Sequence, residues 1–376
     1  MIGSEERAAV MRVMERGVLS GYKGNWSEAF YGGEEVRALE AEWATYFSVK
    51  HAICCNSATS GLWMALAAIG LQNKKGEIVV NKDGFRFKGM SEEIIVSPYS
   101  MTCSASMPLH FGAWPVFADI EPDYYCLDPA SVEAAITPRT KAIIVVDLFG
   151  QPYDADAINA IAKKHGIYVI KDAAQAIGAK YKGKYAGTLG DIGVYSLNVH
   201  KHIQCGEGGV VVTDNDELAF KLRLAMNHSE AVCNDMFAQL NGQSEMLLQD
   251  MPYRLNNRHV SLVGMNLRMT ELSAAIAREQ LKKLDGIIQV VREQAKRFNV
   301  KVRPGCEHAY YRYAMPKEIW QDYPEEYHYM FNWKEHYIKP LYQMPLFAQL
   351  GYDQRQCPVC EAVDENIILA WLKETP

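Results

Sequence analysis

At 376 residues the chain is long enough for two domains with separate cores, and 49% hydrophobic with 22% charged residues is the balance of a soluble globular protein. A net charge of -6 leaves no basic footprint, which argues against nucleic acid as a partner. No apolar run approaches a membrane span, MIGSEERAAV lacks the basic start and apolar middle of a signal peptide, and nine scattered cysteines fit the reduced thiols of a cytoplasmic protein.

In chain order, SGLWMALAAIGL has the apolar pattern of a helix, entered through Ser57, Thr59 and Ser60. The stretch 71–92 predicts an inserted hairpin, and EEIIVSPYS a buried strand running into a loop. WPVFADI is a short strand, and DPASVEAAI a helix with an aspartate cap and a proline at its first position. KAIIVVDLFG is a β-branched strand, DADAINAIAKKHG a helix closed by glycine, and IYVIKDAA another buried strand. This alternation predicts an α/β fold, a mostly parallel sheet with helices on both faces and ligands at the carboxyl ends of its strands. From about residue 245 the texture changes. MTELSAAIAREQLKKLDGIIQVVREQAKRF is one long amphipathic helix, and the aromatic, strand-like HAYYRYAM follows. The expected organisation is a large domain over 1–245 and a smaller α+β domain over 246–376. CPVC, Cys357 to Cys360, has redox or zinc spacing but no second such pair, and a structural role is expected.

The chemistry gathers at SLNVHKHIQCGEGGVVVTD, residues 196–214. Its glycines precede a strand instead of a helix, which rules out a dinucleotide-binding turn. His200 and His202 have no third or fourth ligand nearby, so no metal site is read there. Lys201 lies between them, after a small apolar segment. A partly desolvated lysine offers a neutral amine and forms Schiff bases with aldehydes, that of pyridoxal phosphate (PLP) included. PLP also needs a carboxylate for its pyridine nitrogen and a helix start with hydroxyls for its phosphate. Asp172 at the end of IYVIKD, and Ser57, Thr59 and Ser60, supply both. Each has a plainer reading as a helix cap; the combination, in one α/β chain, points to the coenzyme.

SATSG, the block KDAAQAIGAKYKGKYAGTLGDIGVYSLNVHKHIQCGEGGVVVTDNDELAFKLRLAMNH and GMNLRMTELSAAIAREQL together resemble the DegT/DnrJ/EryC1/StrS family of PLP-dependent sugar aminotransferases. The resemblance runs from about GVLSGY to CPVCE and implies the aspartate aminotransferase type of fold (fold type I). It further implies that Lys201 carries the Schiff base and moves the proton, and that Asp172 pairs with the pyridinium nitrogen. Gln175 would lie beside the ring, Thr59 and Ser60 would donate backbone N–H groups to the phosphate, and Ser196 its hydroxyl. Asn266 would reach the phosphate from the other subunit of a homodimer with shared active sites. Tyr22 and His308 are candidates for touching substrate.

Three departures stand out. The family's aromatic ring over the PLP is replaced by Met101 in SPYSMTC, with Tyr99 as an alternative for that place. A strand that often ends VHLFG here reads VDLFG, with Asp147, a change that bears on substrate choice. The chain carries the 71–92 insertion and ends at LAWLKETP, where a final helix is expected. By the resemblance the reaction takes an amino group from an amino acid, L-glutamate by family habit, through the pyridoxamine form (PMP). The acceptor is a keto- or aldehyde sugar, for a cell-surface polysaccharide such as lipopolysaccharide or for a natural product. An acceptor without a nucleotide (an oxidised octulosonate or an inosose) is the alternative, and Arg254, Arg258 and Arg268 are too few to decide. A PLP-dependent sugar dehydratase is disfavoured by Lys201, where such relatives carry histidine.

Overall fold

The computed structural model describes residues 2–24, 27–71, 77–81, 84–88, 92–229, 264–320, 323–324, 331–334, 339–352 and 356–372, with backbone alone for 77–81, 84–88, 331–334 and 371–372. The expected change of texture near 245, and with it Arg254 and Arg258, lies outside these residues. By its contacts the chain divides into two units, each discontinuous in sequence: 73–190 with 285–376, and 2–72 with 191–284.

The first unit holds the α/β alternation. Strands Glu93–Val96, Thr140–Val146 and Tyr168–Asp172 run parallel, and Trp114–Phe117 pairs parallel with the first of them. The helices between them form where the caps predict. Asp128 accepts from Ser131 N–H at 2.8 Å and Asp154 from Ala157 N–H at 3.1 Å, and Gly166 ends the second helix at φ 66°. Ile95, Ile143, Val145, Val169 and Ile158 form one buried cluster with Tyr153. Glu77–Asn81 and Gly84–Lys88 pair as a hairpin inside the stretch expected to hold one. A smaller α+β group follows. Tyr313–Pro316 and Phe331–Lys334 flank Ile367–Leu372 in an antiparallel sheet, which packs Tyr313, Met315, Ile368 and Ala370 against Ala295 and Phe298 near the end of the long helix Glu271–Ala295.

In the second unit Gly209–Thr213 lies antiparallel between His51–Cys55 and Ile192–Ser196. Trp43 and Phe47 of the helix Glu34–Phe47 meet Tyr195 edge-on or tilted, at 5.4 and 4.8 Å between ring centroids. That helix begins on a borrowed anion: the buried Glu271 carboxylate accepts from Glu35 and Val36 N–H at 2.9 and 3.2 Å. The first helix, Ser4–Arg16, buries Ala9 and Val13 against Ala275. None of the described helices is long and apolar enough to cross a membrane.

Candidate active site

In the second unit the helix Ala58–Ala68 starts directly on the sheet. Gly209 pairs with Ser196, and a Cβ on Gly209 would stand 2.6 Å from the Ser57 carbonyl carbon and 2.7 Å from Ala58 N. Gly61 is equally confined, 2.7 Å from a Val194 methyl. Glycine is required at both places by close approach, which gathers Ser57, Ser60 and Ser196 around one helix start. Ser57 Oγ accepts from Ser60 N–H at 3.1 Å and donates to Ser60 Oγ at 3.0 Å; Thr59 is exposed, and its helix turn carries no acidic side chain. The result is a cluster of hydroxyls and peptide N–H groups with the positive end of a helix dipole behind it, suited to a phosphate dianion.

Lys201 follows on a tight loop. Leu197 N–H donates to Gly208 O, Val199 N–H to Gly206 O and Lys201 N–H to Asn198 O, each at 2.9 Å. Gly206 turns this loop at φ 84°, whereas Gly208 is needed for space, since a Cβ there would meet Cys205 Sγ at 2.5 Å. The lysine side chain is half-buried, His200 is exposed, and His200 N–H donates to Asn198 Oδ1. Burial pushes the Cys55 and Cys205 thiols up to about 12, so both stay protonated under the two loops.

Asn266 is exposed; its Oδ1 accepts from Arg268 Nε at 2.8 Å, and Leu267 O accepts from Asn56 N–H just ahead of the helix start. Tyr22 lies against Gly32, its buried hydroxyl without a partner among the described residues. Burial, then the neighbouring Glu40, push its phenol well up, which keeps it neutral.

In the first unit Asp172 ends its parallel strand and is 5% exposed. Ser104 donates to Asp172 Oδ2 and Ala174 N–H to Oδ1, both at 3.1 Å, and Ser100 backs Ser104 at 3.0 Å. Donors of this kind favour the ionised carboxylate. Sequence reasoning missed Ser104; the one signal was the run of small hydroxyl residues in SPYSMTCSAS. Gln175 is buried, and its Oε1 accepts from Phe149 N–H at 2.9 Å, holding Phe149 in a left-handed turn at φ 59°. Of the two residues considered for stacking, Tyr99 is fully buried against Phe149 with its hydroxyl on Asp364, while Met101 is half-exposed. His308 is buried, stacked on Tyr310 at 4.2 Å, and its Nδ1 accepts from Tyr310 N–H.

Asp147, the second departure, faces inward. It pairs with Lys171 at 2.5 Å, both fully buried, and accepts from Tyr153 N–H, while the Lys171 ammonium sits 3.6 Å over the Tyr153 ring. Burial pushes the Asp147 carboxyl up against the pull of Lys171, and Asp147 Oδ2 has no partner among the described residues.

Residues 18–324 match the model of the DegT/DnrJ/EryC1/StrS aminotransferase family. The chain is 35% identical over 300 residues to the spore coat polysaccharide biosynthesis protein SpsC of Bacillus subtilis, a match covering 79% of this chain and 66% of that protein. It is 38% identical over 254 residues to GDP-perosamine synthase of Caulobacter vibrioides, covering 67% of this chain and 58% of the synthase. The solved structure of an aminotransferase from Psychrobacter cryohalolentis superposes with a TM-score of 0.73 at 26% identity, covering 99% of this chain and 92% of that one.

Proposed function

Because the chain belongs to the DegT/DnrJ/EryC1/StrS aminotransferase family, whose members depend on PLP, we propose that it transfers an amino group from L-glutamate to a keto- or aldehyde sugar. The observation that carries this reading is the anion-ready helix start at Ser57, Ser60 and Ser196; the other unit, taken by itself, offers a buried, donor-supported carboxylate at Asp172. Those donor sets fit PLP, which asks for a phosphate cradle and an acid for its ring nitrogen. When bound, PLP would supply the electron sink for carbanion chemistry. The helix start would hold the phosphate by peptide N–H groups, with Ser60 and Ser196 adding hydroxyls. Asp172, hydrogen-bonded by Ser104 and Ala174 N–H, would hold a proton on the ring nitrogen. Lys201 would anchor the aldehyde carbon and then carry a proton on Nζ between substrate atoms. Gln175 would border the ring, and exposed Met101 would offer a thioether to its edge.

Tyr22 and His308 are assigned to substrate, and exposed Asn266 to the phosphate site of a second copy in a homodimer. SpsC belongs to polysaccharide biosynthesis and the Caulobacter enzyme makes a nucleotide-linked amino sugar. These support an acceptor of that class, destined for a cell-surface polysaccharide. The test is a visible absorption band from bound PLP that bleaches on adding glutamate, followed by an amination assay on keto-sugars with and without a nucleotide. Lys201→Ala is expected to abolish the imine band; an unchanged band in that variant would refute the assignment.

A further inference from the structure

The segment 309–312 is stitched to the loop at the carboxyl end of Thr140–Val146. Ala309 N–H donates to Gly150 O at 2.9 Å and Arg312 N–H to Phe149 O at 3.2 Å. The same loop ties to the next strand, since Phe149 N–H donates to Gln175 Oε1 at 2.9 Å and Asp147 N–H to Asp172 O at 3.1 Å. Gly150, at φ 98°, is so confined that a Cβ would stand 2.9 Å from Tyr310 N and 3.1 Å from Gln175 O. Arg312 is thereby fixed at the ligand end of the parallel strands, one residue-contact from the loop that Gln175 organises. Its guanidinium is held in advance. It lies 4.1 Å over the Tyr311 ring, Nη1 donates to Tyr311 O at 2.8 Å and Nη2 to Tyr311 Oη at 3.4 Å. A stacked and tethered planar fork in a half-buried place gives up little side-chain entropy when it meets an oxyanion.

We infer that Arg312 recognises an oxyanion of the substrate through charge-assisted hydrogen bonds, and so helps set substrate specificity. This rests on the aminotransferase reading, which offers two sources of that chemistry: the carboxylate of the amino-acid donor and a phosphoryl group of a nucleotide-linked acceptor. Calorimetric titration of the coenzyme-bearing protein with glutarate, an unreactive dicarboxylate, and separately with UDP distinguishes them. Wild type, Arg312→Leu and Arg312→Lys are compared, with the coenzyme band recorded for each. Arg312→Leu is expected to lose about 10- to 100-fold in affinity for one probe with the band unchanged. Arg312→Lys, a point charge without the fork, should fall between. A loss confined to glutarate assigns the donor carboxylate, and one confined to UDP the phosphoryl group. Unaltered affinity for both probes in Arg312→Leu, or a wild type that binds neither, overturns the inference. Should the leucine variant not fold, wild-type affinity for both probes in Arg312→Lys overturns it as well. Failure of the aminotransferase reading looks different: a wild type with no band that glutamate bleaches, whatever the probe affinities say of Arg312.

Discussion

At the start of the helix Pro358–Asn366, Val359 and Cys360 N–H donate to the Asp119 carboxylate at 2.9 Å each; at the start of Ala58–Ala68, Ser60 N–H donates to the neutral Ser57 hydroxyl at 3.1 Å. Both ends carry the partial positive charge of unsatisfied peptide groups. In the first that charge is met by an anion from the chain itself. The CPVC thiols beside it are pushed up by burial, so this start is a structural joint. Glu271 closes the helix Glu34–Phe47 in the same way, and Glu6 closes the first helix by accepting from Gly3 N–H at 2.7 Å. The start at Ser57 is built from hydroxyls and from glycines that bring the sheet up against it, with no acid in its first turn. The difference teaches how to tell a helix start left open to an anion from one closed by the fold: ask whether the chain has already supplied the negative charge.

The comparison is most easily broken at Gly209. In Gly209→Ala the added methyl would press on the Ser57 carbonyl carbon, 2.6 Å away, and displace the helix start. The expected result is at least about a tenfold loss of PLP affinity with about 1–3 kcal/mol of lost stability, read by absorbance titration and thermal unfolding. Wild-type affinity would show that this start is not the phosphate site. At the opposite pole, Asp119→Ala should lower stability by about 2 kcal/mol in denaturant unfolding and leave PLP affinity alone. A joint effect on both would erase the distinction.

The smallest effect concerns Glu6. Burial pushes its carboxyl up, but the Lys283 ammonium, the Gln280 amide and Gly3 N–H outweigh this and bring it from 4.5 to about 2. A carboxyl with a lower pKa in the folded state stabilises fully above its unfolded value and loses that contribution as pH falls through the folded one. Glu6→Gln should therefore be less stable than wild type at neutral pH, with the gap closing between pH 4.5 and about 2. A gap of constant size across urea melts in that window would show that the carboxylate's charge is not what holds this helix start.

Most of the parallel strands and the helices between them were legible because each is specified locally, by β-branched runs, aspartate caps and a closing glycine such as Gly166. Asp172 ends a strand that the sequence marks, whereas Lys201 lies in the loop five positions beyond Ser196, picked out only by its chemistry and its small apolar lead-in. What escaped was non-local. Ser104 reaches Asp172 across 68 positions, and Glu271 reaches Glu35 across 236, and no periodicity encodes such pairings. The pairing of Asp147 with Lys171, 24 positions along the chain, was likewise not marked by any local pattern. The glycines after Lys201 divide between Gly206, which takes a positive φ, and Gly208 and Gly209, which are confined by close approach.

The sealed pair of Lys171 and Asp147 also constrains how this lineage could change. Altering either codon alone strands the other charge away from water, at a cost of about 3–5 kcal/mol, a large part of the roughly 5–15 kcal/mol that keeps a domain folded. Losing both charges together, to apolar groups of similar bulk, is close to neutral. Drift at these two positions is therefore a two-step passage with a deep valley between, and Asp147, whose N–H donates to Asp172 O, is held in place by its neighbour's ammonium whatever selection asks of the substrate.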